Sequence, residues 1–320
     1  MEPYVTVIIL NWNNASDTIA CLQSVYNLNY SNYSVLVVDN GSVDESVEQL
    51  RLSYPELEIL ELHNNFGYAE GNNLGIRHVL SNGTNYVLIL NNDTLVHPDM
   101  LTELVKVAEA NPKIGMVGPK VYCTDPMNHL FAAGSFVDWK SGKLNHRGQF
   151  DSDELHSELI NTEVVDFLVG CGVLIRKQLI EEIGAFNPAY YLNYEDVELG
   201  IKAWRSGFQV WFAPKAVMWH KVSATLGIAS PANTYYMTRN ALLFFWKNTS
   251  GFGRLVVVLI ILRTMRSIGA WTVKKKYRDS SYNRRRNANI LALRDFMLMK
   301  AGEMGPDVSR ACCEGRNQGY

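Results

Sequence analysis

Short apolar runs separated by amphipathic stretches repeat from Tyr4 to about Tyr122. That rhythm belongs to βαβ units and predicts a parallel sheet with helices packed on it. The runs read as strands at 5–10, 35–39, 58–62, 86–90 and 115–122, with helices over 18–26, 44–52, 69–80 and 98–110. The last helix has the fullest pattern: Pro98 suits a first turn, Leu101, Leu104, Val105 and Ala108 share one face, and Asn111-Pro112 ends it. From Thr124 to Asn161 the pattern lapses into Gly, Ser, Asp, His and Asn, which predicts an irregular excursion or hairpin. Order returns with strands at 164–168 and 173–176, a helix over 197–205 closed by Ser206-Gly207, and short strands at 209–213 and 217–219.

After Gly251 the pattern changes again. An unbroken apolar run fills 255–262, and Arg263, Arg266, Lys274, Lys275, Lys276, Arg278, Arg284, Arg285 and Arg286 follow against a single acid, Asp279. Eight apolar residues are too few to span a bilayer, which needs about 20. An apolar helix joined to a basic stretch predicts instead a segment, 251–290, that lies on an anionic membrane surface. The competing expectation is a helix docked on the rest of the protein with its charges in solvent. Residues 302–320 read as a frayed tail.

Composition narrows the class. With 320 residues the chain can bury the core of one large α/β domain, alone or with a helical appendage. Its formal net charge of −2, with 47% hydrophobic and 19% charged residues, points to neither a disordered acidic chain nor a nucleic-acid binder. Five cysteines form an odd set without CxxC spacing, which argues against a disulfide framework and against a zinc site and suits a reducing compartment. The first ten residues have no basic region followed by an apolar core, so no cleaved signal peptide is expected and the chain is expected in the cytoplasm.

Candidate chemistry gathers where ligands bind in open parallel sheets, at the carboxyl ends of strands. Four polar clusters fall there: Asn11-Trp12-Asn13, Asp39-Asn40-Gly41-Ser42, His63-Asn64-Asn65 and Asn91-Asn92-Asp93. Any one of them is also an ordinary turn sequence. The run Leu88-Ile89-Leu90-Asn91-Asn92-Asp93 delivers a carboxylate and two amides from a buried strand, oxygen ligands of the kind Mg²⁺ or Mn²⁺ accepts when phosphates supply the rest. Further on, Glu195 and Asp196 open an amphipathic helix, where the helix dipole stabilises negative charge, and Tyr190, Tyr191 and Tyr194 beside them offer faces on which a sugar ring could stack. His220 follows a strand and precedes Lys221, Val222 and Ser223; a lone histidine so placed is more often structural than a ligand.

Taken in order over 5–247, the stretches VTVIILNWNN, VLVVDNGSVDES, NNFGYAEGNNLGI, LILNNDT, GCGVLIRK, IGAFNP, YLNYEDVELGIKAWRSG, WHKVSAT and YYMTRN resemble the inverting GT-A-fold glycosyltransferases of family two, especially the rhamnosyltransferase-like branch. The resemblance implies an α/β GT-A (nucleotide-diphospho-sugar transferase) fold with a mostly parallel central sheet flanked by helices and a C-terminal helical extension. It implies a catalytic domain over 1–250, divided into a nucleotide-sugar half (1–122) and an acceptor half (123–250), then a basic helical region over 251–320. By position, Asp39 would read the pyrimidine base, and Leu10, Asn13, Asn40, Asn65, Gly67, Asn73, Asn91 and Asn92 would surround the nucleotide sugar. Asp93 and His220 would hold a divalent metal, Mg²⁺ or Mn²⁺. The family's motif has an acid at both outer positions, D-x-D, where this chain has Asn91-Asn92-Asp93, so one carboxylate ligand is missing.

The same resemblance makes Asp196 the catalytic base, with Glu195 orienting the site or touching the acceptor. It makes 167–172 a wall of the acceptor site, and Arg239, beside Asn240, a partner of the diphosphate. The implied donor is dTDP-rhamnose, with a UDP-hexose next, and the implied acceptor a saccharide or lipid-linked saccharide. Three rivals are weaker on the residues. A sugar nucleotidyltransferase needs a glycine-rich phosphate loop after the first strand, and 11–17 has no glycine. A binding module without turnover has no need of Asp93, Asp196 and His220 together. A dinucleotide-dependent oxidoreductase needs a GxGxxG after a strand, which is absent.

Overall fold

Strand β1 (Val5–Asn11) is covered on both faces: Val5, Val7 and Ile9 pack into one buried layer and Ile8 into another. A strand buried on both sides is what a parallel sheet between two helix layers requires. The structure, a computed structural model, describes residues 2–221, 230–277 and 279–313. The sequence motif at Val222 and Ser223, Arg278 and the last seven residues of the expected tail lie outside the described residues.

The chain forms two compact units. The first comprises Met1–Phe136, Asn145–Asn187 and Glu195–Val222. In chain order it contains β1, α1 (Ala15–Val25), β2 (Tyr33–Asp39), α2 (Ser46–Ser53), β3 (Glu58–Glu61), α3 (Gly67–Leu80), β4 (Tyr86–Asn91), β5 (Thr94–Val96), α4 (Met100–Glu109) and β6 (Ile114–Cys123). The excursion after β6 holds β7 (Leu130–Ala132), β8 (Ser135–Asp138) and β9 (Lys143–His146), of which β8 and β9 pair as a separate two-stranded sheet. Then come β10 (Glu163–Val164), β11 (Gly172–Arg176), α5 (Lys177–Ile183), α6 (Glu195–Arg205) and β12 (Gln209–His220).

The main sheet runs β10-β12-β6-β11-β4-β1-β2-β3, with β5 on β12 and β7 on β6. Strands β3, β2, β1 and β4 are parallel neighbours, as are β6 and β12, while β11 is inserted antiparallel between β4 and β6. This is the expected mostly parallel sheet flanked by helices. One apolar layer joins it to α1 and α4 through Leu22, Val25, Leu101 and Leu104; the other joins it to α3, α5 and α6 through Ile76, Leu179 and Leu199. Helix α3 comes close because Gly75 has no side chain: a Cβ there would sit 2.6 Å from Val38 Cγ2.

Several elements differ from the sequence pattern. The strand expected at 164–168 pairs only over Glu163–Val164, with one further bridge at Phe167. The two strands expected at 209–213 and 217–219 are one, β12, whose register shifts between Ala213 and Val217. Pro214, which has no N–H to donate, lies in that interval. Strand β5 and helix α5 have too few residues to display a period, and no sequence signal announced them.

The second unit comprises Val137–Leu144, Pro188–Tyr194 and Ser223–Tyr320, and holds α7 (Pro231–Asn248), α8 (Leu255–Val273), α9 (Ser280–Met297) and α10 (Pro306–Cys313). Ser230 caps α7 by accepting from the Asn233 amide, and Pro231 occupies its first turn. Ala232, Tyr235 and Tyr236 of α7 pack with Ala288 and Ala292 of α9 and Val308 and Cys312 of α10, so this unit begins before residue 251. The expected frayed tail is corrected here. Over its described part it forms α10, because Val308 and Cys312 bury an apolar stripe. The apolar run at 255–262 is also longer than it reads, since the helix carries on past Arg263 and Arg266 to Val273. By length and composition alone, Gly251–Val273 is long and apolar enough to cross a membrane.

Candidate active site

Asp39 ends β2 with its carboxylate almost enclosed, 2% exposed. Its Oδ1 accepts from Asn11 Nδ2 (2.7 Å) and Ser42 Oγ (2.6 Å), and its Oδ2 from the Ser42 amide (3.0 Å). The turn that brings Ser42 back passes through Gly41 at φ +72°, where a Cβ would collide with the Asn64 backbone at 2.5 Å. Asn40 then ties this turn to the next one. It donates to Asn65 Oδ1 (3.0 Å) and the Gly67 carbonyl (3.2 Å), and accepts from the Phe66 amide (3.0 Å). Asn13, in the left-handed region at φ 50°, accepts from the Val43 amide (2.8 Å), and Leu10 lies half-buried against Gly71. Asp39, Asn40, Asn13, Leu10, Asn65 and Gly67 therefore share one strand-end rim.

A line of hydrogen bonds leads from that rim to the end of β4. Asn11 Oδ1 accepts from Thr18 Oγ1 (2.7 Å), and Asn92 Nδ2 donates to the same hydroxyl (3.0 Å). Beside Asn92, Asp93 Oδ1 lies 3.2 Å from His220 Nε2, with both side chains more than nine-tenths buried. β5 pairs antiparallel with β12, setting Thr94 opposite His220. Burial opposes a charged imidazole, yet the neighbouring Cys171 and Asp93 outweigh it and push the His220 pKa up to about 10.

Two buried polar atoms here, Asn91 Oδ1 and His220 Nδ1, have no hydrogen-bond partner among the described residues, and Asp93 Oδ1 has the His220 ion pair alone. Oxygens so short of partners beside an imidazole are what a hard divalent cation would satisfy. Among the described residues no group of three or more His, Cys, Asp and Glu side chains is arranged to hold a metal. Asp93, and His220 once its imidazole has given up its proton, would suit a cation completed by ligands from outside the protein, and do not fit a cage built by the protein alone.

The third group is reached through the backbone. The Asn91 amide donates to the Cys171 carbonyl (3.0 Å), and the preceding residue, Gly170, donates its own amide to Asp196 Oδ2 (3.0 Å). Asp196 Oδ1 accepts from the Val197 amide (2.8 Å) in the first turn of α6. Burial pushes the Asp196 pKa up to about 6 despite these hydrogen bonds. Glu195 is 4% exposed, its Oε2 has no partner among the described residues, and burial first, then Asp196, pushes its pKa well above the usual carboxylate range. Tyr68, whose hydroxyl donates to the Gly170 carbonyl (2.6 Å), has its pKa raised by burial and then by Glu195, Asp196, Cys171 and Asp93. A single phenol therefore senses both carboxylate groups.

The glycosyl transferase family 2 profile matches residues 6–184, from β1 through α5. The chain belongs to glycosyl transferase family 2. Family 2 relatives include an N-acetylglucosaminyl-diphospho-decaprenol L-rhamnosyltransferase of Mycobacterium tuberculosis, 26% identical over 210 residues, covering 60% of this chain and 68% of the relative. The dTDP-rhamnosyl transferase RfbF of Shigella flexneri is 21% identical over 256 residues, covering 78% and 82%. Against an uncharacterized Sinorhizobium fredii protein, y4gI, identity is 25% over 239 residues, 70% of this chain but 25% of that much longer protein. Among solved structures, the mannosyltransferase PcManGT of Pyrobaculum calidifontis, in complex with GDP-Man and Mn²⁺, superposes with a TM-score of 0.59 at 18% identity, covering 94% of this chain and 88% of that one. The architecture is the GT-A fold.

Some family 2 positions expected at the site are placed elsewhere. Asn73 spends its amide on Glu70 Oε2 and on the backbone of Phe186, accepting from its amide (3.0 Å) and donating to its carbonyl (2.8 Å), so it clasps the segment that follows α5. Arg239, expected at the diphosphate, is 0% exposed. It donates to the Tyr190 carbonyl, the Tyr235 hydroxyl and Asn240 Oδ1, and stacks on Tyr235 and Tyr236, so its charge anchors the second unit. Nor do the tyrosines form an open sugar platform: Tyr190 and Tyr194 are buried, and Tyr191 stacks on Tyr236. Conversely, Thr18 and Tyr68 took no role from the sequence, and Gly170, expected only as part of the 167–172 wall, acts through its backbone amide on Asp196. A helix-buried threonine, a tyrosine inside a glycine-rich helix start and a backbone N–H have no pattern that marks them.

Proposed function

We propose that this protein is an inverting, metal-dependent glycosyltransferase that moves a sugar from a nucleoside-diphosphate donor to a hydroxyl of a saccharide or lipid-linked saccharide. The observation that carries the reading is the joined pair of contacts Asn91–Cys171 and Gly170–Asp196, which brings a raised-pKa carboxylate and the Asp93–His220 pair to one strand end.

In this reading Asp196 takes the proton of the attacking hydroxyl, a contribution of roughly a hundredfold to ten-thousandfold. Its pKa of about 6 leaves it ionised yet basic near neutrality. Glu195, whose pKa burial and then Asp196 push well above the usual carboxylate range, would orient the site or touch the acceptor. Asp39 and Asn13, with Leu10, Asn40, Asn65 and Gly67, receive the nucleotide, and Asn91 and Asn92 border the diphosphate. Asp93 and His220 would hold Mg²⁺ or Mn²⁺. Bound there, the cation would neutralise charge growing on the departing diphosphate, the larger share of rate enhancement in such transfers. A single displacement inverts the anomeric carbon.

The names of the rhamnosyltransferase relatives support dTDP-rhamnose as donor, with a UDP-hexose next. The first of these names also supports a lipid-linked saccharide acceptor; such an acceptor would be met on the inner, cytoplasmic face of the cell membrane, with 251–290 as the segment toward the lipid surface.

A thermal-shift screen of nucleotide sugars with and without Mn²⁺ tests the reading, since a donor held at about a hundred times its Kd stabilises the fold by about 2.7 kcal/mol. The expected result is one donor that stabilises only with metal, and whose transferred sugar has the opposite anomeric configuration by NMR. Donor binding with no transfer to any saccharide would move the assignment to a binding protein without turnover.

A further inference from the structure

Helix α8 has two unlike faces. Val256, Val257 and Ile260 are buried, and they close on the turn at Gly142, where an added Cβ would meet Ile260 Cδ1 and Val256 Cγ2 at 2.8 Å. At about 100° per residue these side chains centre on one direction, and Leu255, Val258, Leu262, Met265 and Val273 centre on nearly the opposite one. All five of the latter are exposed, as is Phe252 at the start of the helix, at 93%. Flanking this apolar stripe are the exposed cations Arg254, Arg266, Lys274, Lys275 and Lys276, while Arg263 turns back toward the protein and donates to the Ser141 carbonyl. Aromatic rings accompany the basic end: Arg285 lies over Trp271 (5.0 Å) and Lys276 over Tyr277 (4.9 Å).

We propose that α8 lies in the plane of an anionic membrane, its Leu255, Val258, Leu262, Met265 and Val273 stripe dipping below the headgroups and its cations meeting lipid phosphates. This deepens the membrane part of the reading above and rests on it. An apolar face bordered by cations, with Trp and Tyr near the boundary, suits an interface where one side is oily and the other negative. Crossing the bilayer suits it less. Arg263 and Arg266 fall mid-helix, and Val256, Val257 and Ile260, on the face opposite the stripe, are already covered by protein. A second copy of the chain would bring the same cations against these, and like charges repel.

The full chain is sedimented with vesicles of phosphatidylcholine alone and of phosphatidylcholine mixed with phosphatidylglycerol. Two variants are run beside it, Lys274→Glu/Lys275→Glu/Lys276→Glu and Leu262→Gln/Met265→Gln. Binding is expected to the mixed vesicles and little to the neutral ones, with release of intact protein by high salt. Each lost cation should cost roughly fivefold in affinity, so the triple variant falls on the order of a hundredfold, and the double variant should fall as well. Equal binding to both vesicles, no binding, retention after salt as a spanning helix would show, or a dimer that the double variant dissociates would each overturn the proposal. Transfer to a water-soluble acceptor, followed in parallel, separates the two readings. It persists in both variants if only the membrane inference fails, and is absent from the unaltered protein if the glycosyltransferase reading fails.

Discussion

Asp196 receives the backbone amide of Gly170 at 3.0 Å, at a position where an added Cβ would crowd the Tyr68 hydroxyl at 2.9 Å. The carboxylate is thereby aimed by the main chain, and its orientation should survive loss of its charge. Asp196→Asn keeps the shape and removes the proton acceptor. Transfer should fall by about two to four orders of magnitude, while calorimetry should find donor affinity within a few-fold of the unaltered protein. Retained turnover would remove Asp196 from the chemistry.

The same residue ties activity to pH and to stability in opposite senses. A base that ionises at about 6 makes kcat/KM rise roughly tenfold per pH unit below that value and level off above it. For stability, the folded-state pKa lies above the ordinary value of 3.8, so the folded form holds the proton more tightly. Its contribution is complete below pH 3.8 and is lost as pH rises through about 6. The shift corresponds to about 3 kcal/mol lost at neutral pH, and burial of Glu195 acts in the same direction. Asp196→Asn removes this titration, at the cost of turning an amide NH2 toward one of the two N–H groups, Gly170 or Val197, that the carboxylate accepts from. Its stability in urea should therefore fall less steeply between about pH 4 and pH 7 than that of the unaltered protein. An unchanged pH dependence would show that the ionised carboxylate carries no such strain.

The sheet was legible because its strands are apolar on both faces and its clearest helix, α4, is punctuated by Pro98 and Pro112, and the strand-end clusters were legible because polar residues so placed face ligand space. What sequence pattern missed is of two kinds. Strand β5 is three residues long, and a period cannot appear in three residues. The Gly170 amide, Thr18 and Tyr68 act through position rather than residue type. Arg239 misled for a related reason: a cation in a motif suggests an anion in solution, and only packing reveals that Tyr235, Tyr236 and a carbonyl have already claimed it.

Asp39 faces three hydrogen-bond donations, from Asn11, the Ser42 hydroxyl and the Ser42 amide. Asp39→Ala would leave these donors unpaired at the rim and loosen the turn that Gly41 sets against Asn64. The nucleotide should then bind about tenfold to a hundredfold more weakly, raising KM for the donor with a smaller change in kcat. An unchanged donor KM would exclude Asp39 from nucleotide recognition and leave it a structural brace for the turn.

Asn240 makes a prediction confined to the second unit. Its Nδ2 lies within donating distance of three carbonyls, Tyr190 (2.9 Å), Leu192 (2.8 Å) and Asn193 (2.9 Å). Those bonds hold a segment in which Tyr191, Asn193 and Tyr194 all adopt positive φ, at 63°, 66° and 77°. Such backbone is strained for residues with side chains and persists only when its surroundings fix it. Asn240→Ala takes a donor from the Leu192 and Asn193 carbonyls, the Tyr190 carbonyl keeping Arg239 and the Leu192 amide, and should cost roughly 2–4 kcal/mol in chemical denaturation. Asn240→Asp keeps the size but turns a donor into an acceptor facing oxygens, so it should be at least as damaging. If the aspartate were tolerated while the alanine was not, the residue would be filling space rather than gripping carbonyls, and some other contact would have to hold the left-handed run in place.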